Sequence, residues 1–219
     1  MISLTEENYL KALFHLSSNN GEVNVNELSK QLGIKMPTVT SMMKKLAAKE
    51  YVNYESYKPL KLTTKGRIAA ALIIRKHRLT EMYLVEKMGF GWEEVHEIAE
   101  QMEHIHAPKL FAKMDEMMGF PAFDPHGSPI PDVNGKIAGV EYQKLSLFKT
   151  GQTVLLSAVL NTSEDFLKYL NKNELSLGEI LYIVDKEEFD GSVTLSNSNN
   201  KTIVLSALVC ERLLVVEQF

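Results

Sequence analysis

Histidine and glutamate residues crowd into one short stretch of this 219-residue chain. Four of the six histidines lie within thirty residues, on predicted helices that also carry three candidate glutamates: His77, His96, His104 and His106, with Glu81, Glu100 and Glu103. Imidazole and carboxylate groups serve proteins as general acids and bases or as ligands of a divalent cation. Buried carboxylates without a cation would repel one another, and a bound cation removes that repulsion. The cluster therefore predicts a metal site.

Helical spacing would bring these side chains together. His77 and Glu81 are four residues apart, which places both on one face of a helix. On the next predicted helix, four side chains fall within an arc of roughly 100°: His96, Glu100, Glu103 and His104. His106 lies roughly 160° from His104 on the same wheel, so we do not expect it at the same metal. His15 and His126 are isolated in the sequence and are interpreted as structural.

The ligand types narrow the choice of metal. None of the candidates is a thiolate or thioether, so the cluster suits manganese or ferrous iron better than copper(I) or structural zinc. Two other interpretations stay open at this point: a metallohydrolase that uses Glu100 or Glu103 as a base, and a solvated helix face that binds no metal. The glutamate and histidine at 103 and 104 are adjacent, unlike the H-E-x-x-H motif of metallohydrolases.

Charge is distributed unevenly along the chain, whose formal net charge is -4. Residues 1–76 contain 12 Lys and Arg but 6 Glu and no Asp, a net charge of +6. The remaining residues contain 12 basic and 22 acidic side chains, a net charge of -10. A basic head joined to an acidic body is expected of a DNA-binding module linked to a cation-binding module.

Composition also predicts the compartment. No stretch approaches the roughly 18 consecutive apolar residues of a membrane span, and the first ten residues lack the basic and apolar regions of a signal peptide. The sequence therefore predicts a cytoplasmic protein without a membrane partner. The single cysteine, Cys210, has apolar neighbours and is predicted to be a buried structural thiol.

The first seventy residues predict a winged helix-turn-helix. Helices are expected over three segments: Thr5–Ser17 with Thr5 as the N-cap, Asn24–Leu32, and Thr38–Lys49. Gly33 fits the turn between the second and third, and Pro37 fits the start of the third. Residues 51–66 alternate apolar and polar side chains, which indicates a two-stranded hairpin. Helix, short helix, glycine turn, helix and hairpin is the order of a winged helix-turn-helix.

The remainder predicts a helical middle and a β-rich end. Helices are expected over residues 64–89, 92–104 and 108–118. A stretch rich in Pro, Gly and Asp at 120–139 marks a domain boundary. Beyond it, short β-rich runs surround one helix at 163–172, which indicates a small β-barrel.

The third helix and the hairpin supply the predicted DNA contacts. Side chains expected to face the bases or the groove are Lys35, Thr38, Thr40 and Ser41, and Pro37 at the start of the helix belongs to the same surface. Side chains expected to contact phosphates are Lys44, Lys45, Lys58 and Lys61.

Several motifs together resemble the diphtheria toxin repressor and manganese-transport regulator family of bacterial metalloregulators. They are TEENYLKALF at 5–14, MPTVTSMMKKL at 36–46, H-R-L-x-E at 77–81, H-x-x-x-E-x-x-E-H at 96–104 and DPHGSPIP at 124–131. The resemblance spans essentially the whole chain. It implies an α+β protein with three domains: an N-terminal winged helix-turn-helix (1–72), a helical dimerisation and metal-binding domain (73–140) and a C-terminal SH3-like barrel (141–219).

The resemblance also implies two metal sites. The primary site would consist of Asn8, Glu100, Glu103 and His104. The neighbouring site would consist of His77, Glu81 and His96 with an acidic residue of the barrel, for which Asp165 is the first candidate and Glu164 the second.

Three positions bear on the metal. Iron-responsive members usually have Cys at the position of Glu100 and manganese-responsive members have Glu, which favours manganese here. Asn8 stands where the two branches have Met or Asp, and its amide oxygen is a weaker, neutral ligand. Lys11 replaces a Glu of the two-domain manganese regulators, which removes a ligand of their binuclear arrangement.

The resulting prediction is a dimeric, metal-dependent transcriptional repressor, not an enzyme, with two Mn²⁺ ions per subunit and Fe²⁺ as the alternative. It would bind a palindromic operator in double-stranded DNA and control metal-ion uptake genes. A metal that joins Asn8 in the head to ligands in the dimer core would fix the separation of the two recognition helices. A metal-independent winged-helix regulator would instead bind DNA equally well with a chelator, and a hydrolase would show turnover.

Overall fold

The computed structural model describes residues 2–17 and 21–218. Two compact units divide the chain, each built from several segments. The first contains the described residues up to Thr80 together with Ala99–Glu116 and Ile130–Ala138. The second contains Glu81–Ile98, Met117–Pro129 and the described residues from Gly139 onward.

Three helices and a hairpin begin the first unit: α1 (Leu4–Leu16), α2 (Val25–Leu32), α3 (Met36–Ala48), β1 (Val52–Asn53) and β2 (Lys61–Leu62). Gly33 ends α2 at φ 65°, a left-handed conformation that glycine adopts without strain, and the chain turns there into α3. The two strands pair antiparallel, with Val52 opposite Leu62. The predicted winged helix-turn-helix is confirmed.

The start of α1 differs from the prediction. Ser3 is the N-cap: its hydroxyl accepts a hydrogen bond from the Glu6 N–H, and the Glu6 carboxylate accepts one from the Ser3 N–H at 2.8 Å. The assignment of Thr5 as the cap was wrong because Ser3 has a glutamate three residues later, and so forms the reciprocal capping box. Thr5 has Asn8 at that spacing and cannot form it.

One apolar core holds α1 and α3 together beneath the hairpin. Leu10 and Leu13 of α1, Val39 and Met43 of α3, and Leu60 beside β2 are all fully buried in it. Each such side chain contributes roughly 1.5 to 3 kcal/mol to folding. Because the two helices share this core, a displacement of α1 would also displace α3.

Three further helices carry the middle of the sequence: α4 (Thr64–Met88), α5 (His96–Met102) and α6 (Pro108–Met117). The prediction of a helix over 92–104 was too long at both ends. Gly91 and Glu94 form a turn, in which the Gly91 N–H donates to the Glu94 carboxylate at 2.8 Å, and the helix begins after it. Glu103 and His104 lie in a turn after α5, so the helical-wheel argument does not apply to them.

A six-stranded antiparallel sheet forms most of the second unit. Its strands are β3 (Gln143–Lys144), β4 (Thr153–Val159), β5 (Ile180–Lys186), β6 (Val193–Asn197), β7 (Thr202–Leu205) and β8 (Leu213–Gln218), in the spatial order β3-β8-β4-β5-β6-β7. A 3-10 turn (Leu145–Leu147) and two helices, α7 (Glu164–Lys172) and α8 (Ala207–Cys210), accompany it. Alternate residues of β4, β5 and β6 enter one core, which is the period expected of strands with one buried face.

Cys210 ends α8 inside this second core. It is fully buried, and burial raises the pKa of its thiol to about 11. The prediction of a buried structural thiol is confirmed. No helix among the described residues is both long and apolar enough to cross a membrane.

Candidate metal centre

One edge of α1 brings polar side chains into the interior of the first unit. Glu7 is buried, Asn8 is half-buried, and Lys11 follows one turn later with 13% of its side chain exposed. They lie beside the apolar stripe that packs into the core with α3. Polar groups in such a position need partners, because burial of an unpaired donor, acceptor or charge is costly.

His104 receives its partner from α1. The Nδ1 atom of His104 lies 2.6 Å from a carboxylate oxygen of Glu7, so the imidazole donates its Nδ1–H to that carboxylate. The other ring nitrogen, Nε2, lies 3.7 Å from Oε1 of Glu103. A histidine held in this way by a carboxylate offers Nε2 to a metal, which is the usual arrangement around metal-bound histidines. Sequence reasoning missed Glu7, because its contact with His104 joins residues 97 positions apart.

Glu103 is fully buried and ionised. Its Oε2 atom lies 2.7 Å from Nδ1 of His77 and 2.7 Å from Nζ of Lys11. Burial alone would raise the pKa of Glu103, but the contacts with His77 and Lys11 lower it below its ordinary value. The group is therefore a carboxylate, the form that a metal requires of its ligand.

Two buried oxygen atoms have no hydrogen-bond partner among the described residues: Oδ1 of Asn8 and Oε1 of Glu103. Both belong to the predicted primary metal site. A buried acceptor without a donor costs about 1 to 3 kcal/mol, and coordination to a divalent cation would remove that cost. With Nε2 of His104 close to Glu103, these residues fit a hard divalent cation.

Glu100, the remaining ligand predicted for the primary site, lies on α5. Its side chain is 41% exposed and forms an ion pair with Lys11. The first unit therefore contains all four predicted primary ligands on two segments, α1 and the chain from α5 through its following turn.

The second unit contains another group of ligand types around Glu81. The buried side chains of Glu81, Asp124 and His126 have ligand atoms that all lie within 4.8 Å of one another. His126 Nδ1 lies 3.7 Å from Oε2 of Glu81, and His96 Nδ1 lies 3.3 Å from Oε1 of the same carboxylate. His126 is isolated in the sequence but lies against Glu81 in the fold, because the D-P-H-G turn places it there although 45 residues separate them. Its structural role stays a prediction.

His126 is held in place by its neighbours. Its Nε2 atom lies 2.9 Å from the backbone oxygen of Trp92, and its ring stacks on the Trp92 indole at 5.9 Å between centroids. Burial alone would lower the pKa of His126, but the Glu81 and Asp124 carboxylates and the Trp92 carbonyl raise it above its ordinary value.

The acidic residues predicted to complete the neighbouring site lie at the start of α7. Glu164 pairs with Lys168 at 2.6 Å, and Asp165 is exposed beside it. Among the described residues of this unit, the ligand group around Glu81 draws on Asp124 and His126 instead. Glu164 and Asp165 stay predictions as ligands.

The predicted DNA-contacting side chains lie on α3, at its start, and on the wing. Thr40 is half-buried, and the others are exposed: Lys35, Pro37, Thr38, Ser41, Lys44, Lys45, Lys58 and Lys61. Lys45 lies 3.3 Å from the buried carboxylate of Glu6, whereas two of these lysines form solvent-exposed ion pairs, Lys58 with Glu55 and Lys61 with Glu22. Exposed pairs contribute little, so phosphate groups can replace the glutamates at small cost.

Family models match the chain in three segments. The N-terminal DNA binding domain of iron dependent repressors matches residues 1–60, and their metal binding and dimerisation domain matches residues 63–132. The FeoA domain matches residues 143–217.

Relatives and solved structures agree with these matches. An uncharacterised HTH-type transcriptional regulator of Methanocaldococcus jannaschii is 35% identical over 118 residues, which are 53% of this chain and 94% of the relative. The iron-dependent repressor IdeR of Mycobacterium leprae is 32% identical over 127 residues, 58% of this chain and 55% of the relative. A manganese-dependent transcriptional repressor in complex with manganese superposes with a TM-score of 0.89 at 29% identity, covering 97% of this chain and 99% of that chain.

The chain belongs to the diphtheria toxin repressor family. In this family member, the FeoA match together with the six-stranded sheet confirms the predicted SH3-like C-terminal domain. The matched region spans little more than half the length of the first curated relatives, 57% of the diphtheria toxin repressor of Corynebacterium jeikeium and 55% of IdeR from M. leprae.

Proposed function

We propose that this chain is a metal-activated transcriptional repressor that binds operator DNA as a homodimer. The observation that carries the proposal is the pair of buried, unpartnered oxygens of Asn8 and Glu103, beside a histidine whose Nε2 faces Glu103. Nothing in a metal-independent winged-helix protein requires that arrangement. The matches to the DNA binding domain and to the dimerisation domain support the operator and the second subunit.

The ligands of the proposed primary site are Asn8, Glu100, Glu103 and His104. A divalent cation bound there would connect α1, which carries Asn8, with α5 and the turn that follows it, which carry the other three ligands. Glu7 holds His104 in the orientation that faces Glu103, and Asn8 contributes an oxygen from the next residue of α1. The role of this chain is therefore to bring α1 to a fixed position against α5.

Contacts within the head carry that constraint to the DNA. Beyond the shared core, the Glu6 carboxylate of α1 accepts hydrogen bonds from Nζ of Lys49 at 2.7 and 3.0 Å, at the end of α3. Two recognition helices fixed about one helical turn of DNA apart, roughly 34 Å, would read the two halves of a palindrome. A dimer in which α1 is less firmly held would bind that operator more weakly.

A second ion per subunit is part of the proposal. The sequence predicts it at His77, Glu81 and His96 with Asp165 or Glu164. Around Glu81, the buried carboxylate of Asp124 and the imidazole of His126 are further candidate ligands in the second unit.

Manganese is the proposed activator. All candidate ligands are oxygen or imidazole nitrogen, which suit Mn²⁺, and a solved structure with the same fold is a manganese-dependent repressor bound to manganese. Ferrous iron is the alternative, since several relatives are iron-dependent repressors. We further propose metal-ion uptake genes as targets and the cytoplasm as the compartment.

Operator binding under controlled metal tests the proposal. In vitro selection with the Mn²⁺-loaded protein gives an operator, and affinity is then measured at one fixed salt concentration with EDTA, with Mn²⁺ and with anaerobic Fe²⁺. We expect metal to tighten binding by about 5- to 150-fold, the usual range of allosteric coupling. Glu103→Ala should lose that response, and Glu97→Ala, an exposed position on the preceding helix α5, should keep it. Equal affinity in all three conditions would show a metal-independent regulator.

A further inference from the structure

A cavity of about 330 Å³ opens into the first unit next to the turn that carries His104. Its walls come from α4, from the segment between α5 and α6, from α6 itself and from Val133. Most of the lining side chains are apolar, with Leu72, Ile105 and Phe111 among them. The volume lies within the range of about 300 to 1,000 Å³ that is usual for small-molecule sites. A site of this size and composition fits a ligand with an aliphatic body.

The polar side chains of the cavity are all basic. They are Arg75, Lys76 and His106, and none of the described residues that line the cavity is acidic. Arg75 is already satisfied, since it donates to the backbone oxygen of Pro131 at 2.7 Å and pairs with Asp115. His106 is exposed, and the sequence assigns it to no metal site. The charge of the lining therefore favours an anionic ligand group.

Lys76 has an ammonium group that no described residue satisfies. Its side chain is only 18% exposed, and its Nζ atom lies 3.9 Å from Oε1 of Glu7, which is too far for a hydrogen bond. The centre of the Phe111 ring lies 5.9 Å from the same atom. An ammonium group has three donors, and donors shielded from water are costly when nothing accepts from them. A ligand carboxylate in the cavity would accept from this group.

We propose that the cavity binds a small aliphatic carboxylic acid in its ionised form. The carboxylate accepts hydrogen bonds from Lys76 and His106, and the chain contacts Leu72 and Phe111. A hydrogen bond to a charged group and the burial of several methylene groups both favour this complex. A neutral alcohol fills the same space but forms no charge-assisted hydrogen bond with the ammonium group. Val133, 71% exposed, marks the open side through which the ligand enters.

The ligand also acts on the metal centre, and this part of the inference rests on the proposed function. Lys76 lines the cavity and lies near Glu7, the carboxylate that holds His104. A bound carboxylate adds a negative charge close to the centre and offsets the positive charge of Lys76, which favours a divalent cation nearby. We expect Mn²⁺ affinity to rise about fivefold, and by reciprocity Mn²⁺ should tighten carboxylate binding by the same factor.

Calorimetry on the full-length protein in EDTA tests the cavity. Butyrate, hexanoate, octanoate and decanoate are titrated below their micelle-forming concentrations, with 1-octanol as the uncharged ligand. We expect one octanoate per chain and an affinity that rises about fourfold with each added methylene until the cavity is full. Lys76→Gln should weaken octanoate binding by at least about tenfold and leave 1-octanol binding nearly unchanged. Lys113→Gln is the matched control, an exposed lysine of α6 that pairs with Glu116 and does not line the cavity.

Several results would overturn the cavity assignment. Two of them are a lack of saturable binding and an affinity that does not depend on chain length. Wild type that binds 1-octanol as tightly as octanoate is a third, and this comparison needs no variant. Equal octanoate affinity in Lys76→Gln and wild type is a fourth. Sedimentation tests a second copy of the chain as the occupant: octanoate that dissociates a dimer would show that the partner covers the cavity, and would also overturn the assignment.

Mn²⁺ titrations with and without saturating octanoate test the coupling. The fivefold gain should appear in wild type and be absent in Lys76→Gln. Octanoate that binds wild type but leaves its Mn²⁺ affinity unchanged would overturn the coupling. A chain that binds octanoate and no Mn²⁺ would instead refute the proposed function and leave the cavity assignment intact, so the two failures are distinguishable.

Discussion

The carboxylate of Glu7 offers the sharpest test of how α1 contributes to the metal site. It is buried, accepts the Nδ1–H of His104 at 2.6 Å, and has Nζ of Lys76 at 3.9 Å from its other oxygen. In Glu7→Gln the shape is kept, but the charge-assisted hydrogen bond becomes a neutral one. The imidazole is then free to take the other tautomer or to rotate away from Glu103.

The expected effect is a loss of Mn²⁺ affinity of about 10- to 100-fold, the usual result of removing the hydrogen-bond partner of a metal-bound histidine. That factor corresponds to about 1.4 to 2.7 kcal/mol. It exceeds the value of an exposed ion pair because Glu7 and His104 are shielded from water.

Affinity is measured by competition with a fluorescent chelator, and the tautomer of His104 by nitrogen NMR of the imidazole in the metal-free protein. Glu6→Gln is the matched control: it removes a neighbouring buried carboxylate of the same helix that contacts α3 and not His104. The reasoning is refuted if Glu7→Gln binds Mn²⁺ as wild type does, or if both variants lose affinity equally.

Four further outcomes follow from the same contacts. Asn8→Asp should tighten Mn²⁺ binding, on the order of tenfold in a chelator competition, because a carboxylate replaces a neutral amide at an oxygen that lacks a donor; unchanged affinity would remove Asn8 from the ligands. The Glu6 pKa is about 2, because hydrogen bonds from lysines and from the Ser3 N–H outweigh burial, so its stabilising effect is present above pH 4.5 and is lost as pH falls towards 2. The free energy of unfolding of wild type should therefore exceed that of Glu6→Gln by about 1 to 3 kcal/mol at neutral pH, and urea titrations should show the difference shrinking over that acid range. Gly66→Ala should cost about 1 to 3 kcal/mol in the same assay, because its Cβ would lie 2.0 Å from the backbone oxygen of Tyr51; an unchanged midpoint would contradict this packing. Lys44→Ala should weaken binding to all DNA sequences alike and lower the slope of log affinity against log salt by about 1, as loss of one phosphate contact requires.

Local signals in the sequence were sufficient for most of the fold. The apolar period of the first three helices, Gly33 in the turn and the alternation in the hairpin each predict one element, and these elements agree with one another. The errors fell at helix ends, where two candidate caps compete. Ser3 prevails over Thr5 because it alone has a glutamate three residues on, and the Gly91–Glu94 turn ends the preceding segment before α5 begins.

The candidate site was only partly predictable because its contacts join distant parts of the chain. Spacing within one segment indicated the glutamates and histidines of residues 77–104. It could not indicate that Glu7 holds His104, 97 residues away, or that His126 reaches Glu81. The resemblance identified Lys11 as the replacement of a ligand, and only the structure shows that its Nζ atom pairs with Glu100 and Glu103.

The two sides of α1 explain how a metal site can control the recognition helix α3 without contacting it. Its apolar side shares a fully buried core with α3, and Glu6 ties it to Lys49 at the end of α3. Its polar edge is already held by charged groups, since Lys11 pairs with Glu100 and Glu103, and Glu7 holds His104. The metal-free head is therefore not expected to move freely. A cation adds only the contribution of the oxygens that those pairs leave unsatisfied, which places the coupling near the lower end of the usual range of about 1 to 3 kcal/mol.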